Sequence, residues 1–272
     1  MIGGGNMVNR EDFHHNFLKN VIIRLDFQGV LETEMEKVLV HIKPFAKEKG
    51  FLKYAEKSKN QIDIAFTEGT PGSIRERNQK IYSFIDEDRG FALDISNTFV
   101  CLQINTTHYM PFDQYCNIVL DISKFYKDNI DFFTGTRFGI RKINECQVEN
   151  KNEIGRYFNP SYFNFYNHIE GINTIQSKHL DIFTCETCQI NFITNIAKGQ
   201  HEGKPLYNVR LDIDAYLDKP ENITLLNQDK LLKINDLIFK IYTSSLTDDF
   251  ISLLMSDDDF DSTKILGVER ND

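Results

Sequence analysis

The spacing of apolar residues along the chain switches between a period of two and a helical period, and each switch marks an element. Residues 16–30, NFLKNVIIRLDFQGV, are dense in β-formers, with Ile22, Ile23, Leu25 and Phe27 apolar, and predict a first strand. From about Glu32 the period becomes helical, with Met35, Val38, Leu39 and Ile42 on one face; Pro44 and then Gly50 predict its kink or end. Ile62, Ile64 and Phe66 alternate as a short strand, and residues 69–78 read as a charged loop with Pro71 and Gly72. Residues 81–86 and 91–106 predict a hairpin around DEDRG, with Gly90 as the turn residue and Phe91, Leu93 and Ile95 on its dry face. A helix over 111–128 follows, opened by Pro111, with Phe112, Tyr115, Val119, Ile122 and Tyr126 as its buried stripe.

The second half runs in a similar order. Residues 132–149, FFTGTRFGIRKINECQVE, form a strand in which Phe138, Ile140 and Lys142 alternate with Arg137, Gly139 and Arg141. A short helix is expected after Pro160, then strands over 179–185 and 188–197, a loop over 198–205, and a strand over 207–217. In that last strand Val209, Leu211 and Ile213 alternate with Arg210, Asp212 and Asp214. A helix from about 228 carries Leu231, Ile234, Ile238 and Ile241 on one face, and a last helix over 248–255 has Thr247 as its cap. The pattern predicts an α+β fold: antiparallel sheet or sheets with helices packed on one face, in two pseudo-repeated β-α-βn-α halves. The expected boundaries are a disordered lead at 1–15, halves at 16–131 and 132–256, and an acidic tail at 257–272, as one compact domain or two abutting subdomains.

Composition refines this picture. With 272 residues the chain is long enough for a sizeable core, and 22 Phe and 11 Tyr against no Trp make that core rich in Phe. A net charge of −9 argues against broad nucleic-acid binding, which depends on neutralising phosphates. Five cysteines and no apolar leader at the start point to reduced thiols in a cytoplasm. No run is long and apolar enough to span a bilayer.

Candidate chemistry is sparse. Cys185 and Cys188 have CxxC spacing, but no second pair completes a zinc set, and the simplest reading is two thiols at a hairpin or strand bend, with no metal and no cofactor. Asp212 and Asp214 share a strand face, where paired carboxylates serve metal-dependent nucleases and where solvated acids are also common. The strongest candidates for binding a ligand or partner are Arg137, Gly139, Arg141 and Asn144. The two guanidiniums lie on one face, Gly139 between them permits close approach, and such a pair grips phosphate or carboxylate. The competing reading pairs these arginines with Asp212 or Asp214 to hold two strands together. The histidines show no HxH, HxxxH or HExxH spacing, and no nucleophile–base pair is recognisable.

Three segments resemble a family of sporadically distributed bacterial proteins of about this length whose activity is unassigned. The opening NFLKNVIIRLDF is similar to its first segment, with Asn20 and Arg24 in place of the usual Pro and Glu. The central GTRFGIRKINECQV resembles its R-x-G-hydrophobic-R-Y-I-N-R-I segment at Arg137, Gly139, Arg141, Ile143 and Asn144, while Lys142 and Glu145 replace an aromatic and a basic residue. RLDIDAY, followed by a helix with Phe250, resembles its C-terminal strand and helix. The resemblance implies a bacterial protein encoded among mobile or defence genes, and it transfers no catalytic residue. The expectation is therefore a non-enzymatic partner or sensor protein that binds another protein, encoded in the same antiviral-defence operon, or a second copy of itself. One alternative is a nucleotide- or nucleic-acid-processing enzyme using Asp212 and Asp214 with Arg137 and Arg141; another is a structural subunit of a hetero-complex.

Overall fold

Alternation along the central strands decides where the core lies, because each turns its apolar set to one side of a single sheet. The computed structural model describes residues 8–64, 74–105, 110–163, 174–185, 188–257 and 265–271. In chain order they form β1 (His15–Asn16), β2 (Leu18–Gln28), α1 (Met35–Glu48), β3 (Lys53–Ile64), β4 (Ile74–Asp86), β5 (Phe91–Ile95), β6 (Phe99–Asn105) and α2 (Asp113–Asn129). Next come β7 (Thr134–Val148), α3 (Lys151–Tyr157), β8 (Gln176–Thr184), β9 (Gln189–His201) and β10 (Lys204–Leu217). The chain finishes with α4 (Pro220–Thr224), α5 (Gln228–Ser244), α6 (Asp248–Leu254), β11 (Ile265–Leu266) and β12 (Glu269–Arg270).

The main sheet has ten strands in the order β3-β4-β5-β6-β2-β7-β10-β9-β8, with β11 added beside β7. All of its pairings are antiparallel. The two halves of the chain therefore share one continuous sheet and meet where β2 pairs with β7, Ile23 opposite Ile140. The second half has one strand fewer after its first helix and three helices at its end, so the order of elements does not by itself make a repeat.

Val21, Ile23, Leu25 and Phe27 of β2, Phe138 and Ile140 of β7, and Val209, Leu211, Ile213 and Ala215 of β10 form one buried layer with the helices. Into it α2 inserts Tyr115, Val119, Ile122 and Tyr126, and α5 inserts Leu231, Ile234 and Ile238. Aromatic contacts dominate the far end, where Phe17 stacks on Phe250 at 5.5 Å and Phe158 meets both. No helix among the described residues is long and apolar enough to cross a membrane.

Several sequence expectations need correction. Pro44 does not end α1, which continues to Glu48 and stops just before Gly50, the second expected stop. Both Pro44 and Val40 are exposed, so the carbonyl deprived of its partner is on the solvent side, where the loss is cheapest. Residues 91–106 hold two strands, because Ser96 Oγ accepts from the N–H groups of Thr98 and Phe99 and turns the chain. The expected loop at 198–205 is only a tight turn: Glu202 and Gly203 have φ of 50° and 78°, and β9 and β10 run up to it on both sides.

A helix not expected from the sequence, α3, precedes Pro160, capped by Asn150, which accepts from the N–H groups of Asn152 and Glu153; the helix expected after Pro160 falls largely on residues 164–173, which lie outside the described residues. The strand expected at Ile62 begins at Lys53; residues 65–73, with the first half of the expected loop, also lie outside, and its second half, 74–78, is the start of β4. Neither terminus is a plain tail. Phe13 and His15 are buried, and β11 and β12 pair with β7 and β1, burying Ile265.

Candidate functional site

The face of the sheet turned away from the helices is polar, and the residues singled out in β7 lie at its centre. Register places Arg24 opposite Gly139, Asp26 opposite Arg137 and Ile22 opposite Arg141 on one side of β7; on the other, Asp214 stands opposite Arg141 and Tyr216 opposite Gly139. The bonds run diagonally across these rungs. Arg141 donates from Nε to Asp212 Oδ1 at 2.7 Å and from Nη2 to Oδ2 at 2.6 Å, the forked geometry that suits a guanidinium and a carboxylate. Arg137 donates to Asp214 at 2.8 Å and lies 4.0 Å from Asp26, which in turn accepts from Arg24 Nε at 2.8 Å. Arg210 reaches Glu145 at 3.2 Å and Asp212 at 3.3 Å. Four arginines and four acids thus alternate across β2, β7 and β10.

Two apolar contacts set this lattice in place. The Arg137 guanidinium stacks on the Tyr216 ring at 4.7 Å and crosses Gly139, where a Cβ would stand 2.9 Å from Nη1. Gly139 therefore leaves room for Arg137 to lie across it, and a Cβ there would push the end of that side chain aside. Arg24 stacks in the same way on Phe99 at 4.3 Å. Between these groups runs a groove of about 400 Å³ lined by Arg24, Asp26, Arg137, Gly139, Arg141 and Asp214.

Burial decides the electrostatics. Asp212 is only 3% exposed, so its charge is held by the fork from Arg141, whose own pKa that bond raises. Burial pushes the Asp214 carboxyl above its usual range, and Arg137 only partly offsets this. The reading in which the arginines pair with Asp212 and Asp214 to hold β7 to β10 is thus the observed geometry. Each of the two acids proposed for metal chemistry has a guanidinium on it, and no group of three or more His, Cys, Asp or Glu among the described residues is placed to hold a metal ion.

Asn144 does not join Arg137, Gly139 and Arg141. It is separated from Arg141 by an odd number of positions, so it faces the helices, is buried, and donates to Leu211 O at a long 3.5 Å. Lys142 lies on that same inner side, opposite Val21 and Ile213. Its ammonium nitrogen is 5.6 Å from the centre of the Phe112 ring. Arg10, from the stretch read as a lead, joins it there, bonded to Asp236 at 2.7 Å and to the Asn235 carbonyl at 2.6 Å. The signal for Lys142 was present in the alternation, as a lone cation in register with Phe138 and Ile140; Arg10 had no such signal.

Cys185 and Cys188 flank the β8–β9 turn, their sulfurs 2.9 Å apart, with Cys185 exposed and Cys188 buried. At the same edge Leu180 and Ile182 are 56% and 61% exposed. Their register partners Ile193 and Asn191 put them on the face that carries the arginine lattice. Comparison of the chain with family models, with curated proteins and with solved structures gives no match.

Proposed function

We propose that this chain is a non-enzymatic binding protein that docks another protein on the uncovered face of its sheet. In keeping with the resemblance in its central strand, it would do so in a bacterial cytoplasm, as one member of a defence-type operon. The observation that carries the reading is the make-up of that face. Arginines stacked on aromatic rings sit among half-buried Ile22, Ile143 and Ile193, and the apolar surface continues to Leu180 and Ile182 at the edge. Mixed apolar surface with Arg and Tyr anchors is the make-up of a protein–protein interface. A nucleic acid would want unpaired cations, whereas here each arginine of the lattice has an acid beside it.

The test is purification of the tagged protein from its own host, followed by cross-linking mass spectrometry. The expected result is a stoichiometric protein partner cross-linked to β7–β10 residues of this face. The double variant Leu180→Glu/Ile182→Glu should lose it, while Val40→Glu, on the exposed side of α1, should keep it. Cross-links confined to the helix layer, or a monomer with no partner at native abundance, would overturn the proposal. A cross-linked second copy of this chain would identify the partner as the chain itself.

A further inference from the structure

On the opposite side of the sheet, β1, β7 and α5 border a half-open pocket of about 70 Å³, room for roughly five waters. Its lining is mixed. Phe13, Ile238 and Phe239 supply apolar surface, and Arg10, Lys142 and Asn144 supply polar groups. The polar side is rich in donors. Arg10 Nε is buried with no hydrogen-bond partner, and the Asn144 amide has only the long bond to Leu211 O. Lys142 makes neither a hydrogen bond nor an ion pair among the described residues, and its ammonium sits near the Phe112 ring. Asp236 answers the charge of Arg10 but is itself largely exposed.

Removal from water, with Arg10 nearby, pushes the Lys142 pKa down to about 7. Asp236 favours the ammonium but does not outweigh these two effects, so a cation removed from water beside Arg10 stays costly there, and an anion of the right size would relieve it. Phosphate fits poorly, since most of the pocket surface is hydrocarbon and aromatic ring. A ligand with one carboxylate and a short apolar body matches both kinds of lining.

We infer that this pocket is a binding site for a small monocarboxylate, with its carboxylate on Lys142, Arg10 and Asn144 and its short hydrocarbon part against Phe13, Ile238 and Phe239. The site lies on the other side of the sheet from the proposed docking face and shares no residue with it, so either proposal can fail alone. It would give a binding protein the means to sense a metabolite.

The experiment is calorimetric titration and saturation-transfer NMR of the full chain with sodium butyrate, with butyramide as its uncharged isostere and inorganic phosphate as a plain anion. Butyrate should bind saturably at one site, and butyramide and phosphate at least about tenfold more weakly, the lower end of what one charge-assisted hydrogen bond contributes. Lys142→Met should weaken butyrate binding by about tenfold or more. Because that variant removes a buried group and could fail to fold, Asn144→Asp provides a second test. It places a carboxylate two residues from Lys142 on the same strand face, so it should keep the fold while weakening butyrate by a similar factor. No saturable butyrate binding, equal binding of butyramide or phosphate, or unchanged affinity in Asn144→Asp would overturn the assignment.

Discussion

Asp212 shows how a single residue turns a candidate site into a scaffold. Its carboxylate is nearly out of water and accepts two bonds from Arg141, so removing Arg141 strands it. A fully buried broken pair costs about 3–5 kcal/mol. Here Arg141 is 39% exposed and Arg210 remains 3.3 Å from Asp212, so Arg141→Ala should cost less, about 1–3 kcal/mol. Urea denaturation checks this: the midpoint should fall with the slope unchanged, and Arg141→Lys should recover only part of the loss because an ammonium cannot form the fork. An unchanged midpoint would mean that Asp212 finds water or another donor. The alternation in β7 and β10 made the pairing legible in the sequence, since it put Arg137, Arg141, Asp212 and Asp214 on faces that antiparallel neighbours share. What it left open was whether those strands were neighbours at all, because pairing depends on the whole topology.

At the scale of the element, legibility follows the contrast between a wet and a dry side. The stripe of α2 is unambiguous, and Val119 at its centre is wholly buried. Val119→Ala should therefore cost about 1–3 kcal/mol, and Val40→Ala on the exposed side of α1 should stay within about 0.5 kcal/mol; thermal or urea melting of the two measures the difference. A small effect at Val119 would place the α2 stripe in the wrong register. Where contrast is lacking, the sequence misleads. The described side chains of β3 are mostly exposed, as befits an edge strand, so KYAEKSK carries no apolar alternation to announce it. In α3 only Ile154 and Tyr157 are buried, too few for a period to show, and its signal is instead the Asn150 cap. The turn at Ser96 depends on one hydroxyl inside an apolar run, which outweighs the hydrophobic pattern on both sides. The termini were missed for a related reason: β1, β11 and β12 are two residues each, too short to show alternation, and β11 and β12 become strands only once β7 and β1 exist to receive them.

For the whole molecule, the decisive feature is that the chain closes its sheet through β2 and β7. Each half ends its own run of strands with one of these two, so separation at residue 131 would turn both into bare edges with apolar inner faces. The helix layer crosses the same line, since α2 of the first half packs on α5 of the second. Backbone pairing and side-chain burial are therefore lost together, and neither half retains a closed core. Fragments 1–131 and 132–272, expressed separately, should each lack a cooperative melt and dispersed amide resonances; co-expressed, they should associate and recover both. The β2–β7 pairing makes the sharper version of this test. Ile23→Asp places a carboxylate opposite Ile140 at the fully buried centre of the joint, and should block reassembly of the fragments. If either fragment instead melts cooperatively as a monomer, the joint between the halves is an interface of two domains rather than the middle of one core, and the single-sheet account of stability fails.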